Sequence, residues 1–333
     1  MKKTILLFLV TLGCLFMIGC GKYGEKDVVK DLTKKIENAK GYHLTGVLEM
    51  INNEDSYLYD VDVSYEKDEK YRVSLKNKTN NHEQIILRND DGVYVLTPSL
   101  NKSFKFQSEW PYNNSQSYLL QTLLKDIKND KDRKFKENDK GYVLTTKVNY
   151  SSNKALTKQN IYLDKNLSIT EVHVLNEQEQ VQIKMKFDKM DMKATYDQKY
   201  FTLKENMATA VVDEDVKPVS KIDDVIYPMY IPNNTHLASQ DKITKENGER
   251  IILTFSGDKP FMLVQETAIK ENELLTIPMY GEPVILTGTV AAISESSITW
   301  VNNGIEYYVV SDVASEEELL NIARSVSVMP VGK

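Results

Sequence analysis

Tyr57-Leu58-Tyr59-Asp60-Val61-Asp62-Val63-Ser64-Tyr65 places Tyr57, Tyr59, Val61, Val63 and Tyr65 in one row and Leu58, Asp60, Asp62 and Ser64 in the other. A period of two is that of a strand with one face turned to a core and one to water. The pattern recurs. Tyr71, Val73 and Leu75 alternate with Arg72, Ser74 and Lys76. Tyr142, Leu144, Thr146, Val148 and Tyr150 form a third row, and Val181, Ile183, Met185 and Phe187 oppose Gln180, Gln182, Lys184 and Lys186. These segments predict antiparallel strands, each with one apolar and one wet face. A large sheet with its apolar rows on one side must curl, because flat open sheets of that size rarely persist.

Two stretches have helical spacing and could fill the curl. Val28, Leu32, Ile36 and Ala39 predict an amphipathic helix over 27–40, with Gly41 as its C-terminal cap. Tyr118, Leu119, Leu120, Leu123, Leu124 and Ile127 form a broad apolar stripe, with Ser115 or Ser117 as the cap. The mixed charges of 125–140 read as a solvated helix end and loop. Asp90-Asp91-Gly92 predicts a hairpin turn between 84–88 and 93–97.

Past residue 205 the alternation dissolves into a charged, proline-bearing linker, 206–222. A smaller α+β domain is expected over 223–333, opening on the extended Tyr227-Pro228-Met229-Tyr230-Ile231-Pro232. Its strands are expected at 250–255, 261–265, 284–291, 297–301 and 305–310, with Asn302-Asn303-Gly304 as a tight turn. Ser315 to Glu318 forms a capping box before a last helix carrying Leu319, Leu320, Ile322, Ala323 and Val326. The fold class expected is therefore mostly β (α+β).

At the other end, Lys2 and Lys3 precede an apolar run that closes on Met17-Ile18-Gly19-Cys20. The run is shorter than the ~20 residues of a membrane span. A basic start, an apolar middle and a small residue before the cut are the anatomy of an export signal, here 1–19. The sequence around the cut resembles bacterial lipoprotein signals, with Met17 standing where Leu is usual. That resemblance makes Cys20 the lipidated N-terminus, carrying palmitate-class acyl chains, with 20–26 as spacer. Each buried CH₂ contributes ~0.8 kcal/mol, so two or three chains hold a protein to a membrane firmly. The expected location is the outer face of the cytoplasmic membrane, including the intermembrane space around a forespore.

Of 42 basic residues, Lys2 and Lys3 belong to the leader, leaving 40 against 48 acidic, a formal charge of −8. An acidic balance argues against a nucleic-acid partner. The chain has two cysteines, Cys14 in the leader and Cys20 at the anchor, so none is left for a disulfide or a metal. His43, His82, His173 and His236 are scattered without ligand spacing, so no metal and no cofactor is expected. His173 beside Glu171 suggests a catalytic dyad, or else a rim histidine on a strand. Asp60 and Asp62 share a strand face as a carboxylate pair would, yet that is the wet row, where solvated charges belong. No nucleophile elbow, Ser-x-x-Lys pair or phosphate loop appears. No catalytic residue is assigned, and the chain is read as not an enzyme.

Tyr59, Val61, Val63, Tyr71, Val73, Val148, Val181, Ile183, Met185 and Phe187 are the candidate lining of an apolar cavity, Tyr and Met giving a polar rim and an adaptable wall. The same residues read equally as a filled core.

The order of these features resembles the lipoprotein-carrier superfamily of LolA, LolB and RseB, most closely the LolA-like sporulation and germination lipoproteins of Gram-positive spore formers. The likeness spans roughly 25–205. It is carried by Asn89-Asp90-Asp91-Gly92-Val93-Tyr94-Val95-Leu96-Thr97-Pro98 and the helix near Ser117-Tyr118-Leu119-Leu120. It implies an unclosed antiparallel β-barrel with helices covering its apolar face, over 27–205, a lipid-binding hydrophobic cavity, and no catalysis. The function expected is a membrane-anchored module of sporulation or germination that binds an acyl chain, a lipoprotein or a protein partner. The alternative is a regulatory partner of a cell-wall (peptidoglycan) hydrolase, and a third reading is an unrecognised hydrolase.

Overall fold

The computed structural model describes residues 23–52, 55–151, 153–210, 221–246, 248–286 and 289–327. The expected leader, Cys20 and most of the expected linker lie outside them.

Strict alternation builds β1 (Gly41–Asn52), β2 (Asp55–Glu66) and β3 (Lys70–Asn77), a meander continued by β4 (Glu83–Asn89), β5 (Gly92–Thr97) and β6 (Lys102–Phe106). The β4–β5 turn is the one expected: Asn89 pairs with Gly92, and the Asn89 side chain accepts the Asp91 N–H at 2.9 Å. Gly92 has φ +134°, which a residue with a Cβ rarely adopts. After a helix, β7 (Lys134–Asn138), β8 (Gly141–Lys147), β9 (Leu156–Asp164), β10 (Ile169–Asn176) and β11 (Val181–Asp191) form a second meander. Antiparallel pairing of β11 with β1 joins the two meanders into one sheet. The far ends of the two meanders, β6 and β7, do not pair with each other, so the barrel is unclosed, as the resemblance implied.

The helices α1 (Glu25–Glu37) and α2 (Leu120–Asn129) lie on the apolar face. Val28, Leu32 and Ile36 of α1 and Leu120, Leu123, Leu124 and Ile127 of α2 share one core with Tyr71 and Val73 of β3 and Leu144 of β8. Contact between helices and strands from both meanders is what curling the sheet achieves. Each fully buried Leu or Ile there contributes about 1.5–3 kcal/mol.

The caps differ from expectation. Helix α1 ends on Asn38, and Gly41 instead opens β1, where a Cβ would sit 2.5 Å from the Ala194 carbonyl oxygen. Neither serine caps α2: Leu119 holds that position, and the Ser115 hydroxyl donates to Asp126 at 2.8 Å. The charged run is not all loop either. Lys134–Asn138 is an edge strand paired only with β8, and its charges guard the open edge against further pairing.

The outer face is not wet throughout. Ile85, Leu87, Tyr94 and Leu96 bury against Phe201 and half-buried Tyr196 and Tyr200, next to α3 (Leu203–Thr209). Continuous apolar runs in β4 and β5 are what burial on both faces requires.

Seven further strands form a smaller sheet: β12 (Thr235–Lys245), β13 (Gly248–Gly257), β14 (Phe261–Thr267), β16 (Glu282–Leu286), β17 (Thr289–Ile293), β18 (Ser297–Asn302) and β19 (Ile305–Val310). The expected single strand over 284–291 is thus two, paired Leu286 to Thr289. Helix α4 (Glu316–Ser327) packs Leu319, Leu320, Ile322, Ala323 and Val326 onto this sheet. Its capping box forms as read, the Ser315 N–H donating to Glu318 at 2.8 Å. Between β14 and β16, β15 (Leu275–Met279) leaves the smaller sheet and pairs parallel with β6, extending the large one.

Candidate functional site

Six of the ten nominated cavity residues, Tyr59, Val61, Val63, Tyr71, Val73 and Met185, are at most 2% exposed and packed within the main core. Val148, Ile183 and Phe187 are half-buried against it, and Val181 is half-buried at the start of β11. The polar tips of the row are spent internally. Tyr71 and Tyr112 hydroxyls meet at 2.8 Å, and Tyr59 donates to the Leu286 carbonyl at 3.0 Å. The helices have filled the space these residues face.

One nominated residue, Ile183, lines a cavity of about 180 Å³ at the junction of the two sheets. Leu48 and Met50 of β1, Leu156, and Pro283 to Ile285 of β16 give it an apolar wall. Asn114, Gln116, Ser117 and Asn153, from the loops before α2 and β9, add polar groups to its lining. Tyr118 and Tyr150 also face it, and burial pushes both phenols above their ordinary range, keeping them neutral donors.

Arg324, in the last turn of α4, supplies the cation. With the Asn153 amide oriented by its surroundings, its oxygen accepts from both guanidinium Nη atoms, at 3.2 and 3.1 Å. Desolvation lowers the guanidinium pKa to about 10, against the raising influence of Glu317. Among the described residues no carboxylate forms an ion pair with Arg324. Sequence reading passed over it because a basic residue in the last turn of a helix ordinarily serves the helix dipole. The available signal was an arginine in a lysine-rich chain, four residues after core Leu320.

The groups weighed for catalysis are paired off on the strands. Asp60 meets Lys78 at 2.9 Å. Asp62 is shared by His43 at 2.8 Å and Arg72 at 3.3 Å, so the two carboxylates face different cations. His173 does meet Glu171, at 3.0 Å, beside Tyr162. Burial lowers the His82 pKa. Among the described residues no three His, Cys, Asp or Glu are grouped to hold a metal ion.

Several proteins of known structure resemble this chain at low identity. The complex of Pseudomonas aeruginosa MucA and MucB contains a chain 14% identical, with 90% of this chain and 98% of that one covered and a TM-score of 0.34. A chain in the complex of the Clostridioides difficile CwlD amidase with the GerS lipoprotein is 18% identical, over 54% of this chain and all of that one, with a TM-score of 0.31. The LolA superfamily protein NE2245 of Nitrosomonas europaea is 10% identical, over 53% and 98%, again at 0.31. In sequence, Sporulation protein YdcC of Bacillus subtilis (strain 168) is 36% identical over 328 residues, covering 98% of this chain and 97% of that protein. The profile of the family described as Sporulation protein YdcC-like matches residues 1–201, and the chain belongs to that family.

Proposed function

We propose that this chain is a lipid-anchored, non-catalytic protein of sporulation that binds a protein partner outside the cytoplasmic membrane. The observation that carries this reading is the filling of the concave face. Six of the ten nominated residues are at most 2% exposed, which leaves little of the row open to an acyl chain. The cavity at the sheet junction measures about 180 Å³. A dry cavity of roughly 150 Å³ holds one benzene-sized molecule. That volume accepts one anchoring side chain of a partner, not a pair of lipid tails. Family membership supports the sporulation context, and the Cys20 motif supports the anchor and its extracytoplasmic side. A cell-wall hydrolase is the partner class carried forward from the sequence reading.

The test is crosslinking of an epitope-tagged chain in sporulating cells, with mass spectrometry of both protein and lipid extracts. The expected result is an extracytoplasmic protein, such as a peptidoglycan hydrolase, recovered near one to one and lost when Ile183→Trp fills the cavity. Stoichiometric acyl lipid without a protein would overturn the reading.

A further inference from the structure

We infer that the cavity at the sheet junction is a receptor for an apolar side chain with a carboxylate beside it, the apolar group lying on Ile183 and the carboxylate on Arg324. This deepens the partner-binding reading and rests on it for one point, that a polypeptide supplies the group.

The demand comes from Arg324. A guanidinium has five N–H donors in a fixed fork and stays charged in water. Here Asn153 supplies a neutral oxygen, and among the described residues no carboxylate is in ion-pair contact with the charge. A half-buried charge of this kind gains by meeting an anion, and a carboxylate matches the fork with two parallel hydrogen bonds.

The other charges on the wall set the ligand's direction. Glu316 opens α4, eight residues before Arg324, about 12 Å away along the helix axis. Glu282 already accepts the Ser108 hydroxyl. Both carboxylates repel an anion from their side, leaving one place for a single negative group. A ligand with two carboxylates close together, or a cation alone, does not fit that pattern. Size fixes the rest. The apolar wall of Leu48, Met50, Ile183 and Val284 encloses space for one ring or one branched aliphatic group. The C-terminal residue of a polypeptide, or an apolar residue next to Asp or Glu, has this chemistry.

The probe is 3-(4-fluorophenyl)propanoate, with 3-(4-fluorophenyl)propanamide as its uncharged match, read by ¹⁹F NMR on the lipidated full chain in nanodiscs against empty nanodiscs. The acid should bind about tenfold or more tightly than the amide, the least that a hydrogen bond to a charge contributes. Arg324→Gln should bring that ratio to near one, and Ile183→Trp should abolish binding of both probes. Should Arg324→Gln fail to fold, Asn153→Asp carries the test: it places an internal carboxylate on the guanidinium and should erase the acid's advantage while sparing the amide. Dodecanoate distinguishes the source. A lipid site would gain affinity with every methylene, whereas a side-chain receptor binds dodecanoate no more tightly than the aromatic acid. Equal binding of acid and amide, unchanged binding in Ile183→Trp, or strong preference for dodecanoate would overturn the inference. These outcomes read the cavity alone, so partner capture with a failed probe sinks this inference, and probe binding without partner capture sinks the proposed function.

Discussion

Asp126 in the last turn of α2 should make this protein less stable as pH rises toward neutrality, and Asp126→Asn should remove that dependence. Its Oδ2 accepts from Ser115 Oγ and from Gln159 Nε2, each at 2.8 Å. Ser115 and Gln159 are themselves at most 2% exposed. Burial raises the carboxyl pKa to about 6, outweighing those two hydrogen bonds and the Lys125 charge, which lower it. In the unfolded chain the same group titrates near 3.9. Below about pH 4 the proton is bound in both states and the group contributes no pH dependence. Between about pH 4 and pH 6 only the folded state keeps it, so folding stability falls by about 1.4 kcal/mol per unit. Above the folded value the loss levels off, at about 3 kcal/mol for a displacement of about two units.

An asparagine is isosteric, keeps an oxygen for Ser115 or Gln159, and carries no charge to desolvate. Urea unfolding of wild type and variant across about pH 4 to about pH 7.5 gives the difference in stability at each pH, in which the other titrating groups cancel. That difference should move by about 3 kcal/mol in favour of the variant over the range, with most of the change below pH 6. A difference that stays constant with pH would mean Asp126 is solvated in the folded protein, and the hydrogen-bonded contact of α2 with β9 would have to be redrawn.

Leu123, fully buried between α2 and the sheet, should lose about 2–5 kcal/mol on truncation to Ala, seen as a lower urea midpoint at unchanged slope. Lys102 and Glu306 form a nearly buried ion pair joining β6 to β19. Lys102→Met alone should cost about 3–5 kcal/mol, and Lys102→Met with Glu306→Leu should recover most of it, because the penalty is the stranded carboxylate; a double-mutant cycle measures this. Cys20→Ser should release the chain from carbonate-washed membranes, and persistent membrane fractionation of that variant would exclude lipid as the anchor.

What could be read from the sequence was whatever the chain encodes locally. Tyr59, Val61 and Val63 gave β2 because period two reports one buried face, and Asn302-Asn303-Gly304 gave the β18–β19 turn, where Asn303 and Gly304 do adopt φ +49° and +76°. The capping box at Ser315 is a four-residue signal and formed as read. Non-local choices were hidden. In β9, Gln159 takes an inward position beside Ile161, fully buried because Asp126 and Thr146 receive its amide, and no pattern announces a polar residue in an apolar row. Thr235–Lys245 is almost wholly exposed, so β12 carries no alternation to find. β15 pairs with a strand more than 170 residues earlier, and its Pro278 argues against a strand until the edge position explains it. The cavity row is ambiguous for a related reason. Alternation tells which side is apolar and cannot tell whether helices or a ligand will occupy it.

The site therefore depends on a junction that neither sheet makes alone, since Leu48 of the large sheet and Arg324 of α4 both line it. The junction is held by side chains reaching across it. Gln84 Oε1 of β4 accepts the Val290 N–H at 2.5 Å and the Thr289 hydroxyl at 2.9 Å. Tyr59 binds the Leu286 carbonyl, and Val290 and Ala292 of β17 belong to the core of the large sheet. These contacts anchor β16 and β17, the strands that bring Pro283 to Ile285 and Ile293 to the cavity. If they lock the two sheets, the sheets should unfold as one unit. The chain's two tryptophans report on this, Trp110 buried in the first core and Trp300 stacked on Tyr307 in the second. Single-tryptophan forms made by Trp300→Phe and Trp110→Phe should give coincident urea transitions, after allowing for the small cost of each substitution. A ligand bridging the walls should shift both together, by about 1.4 kcal/mol at ten times its Kd. Separate transitions, with only one displaced by the probe, would mean the cavity belongs to one sheet, and the junction would lose its claim to be the binding site.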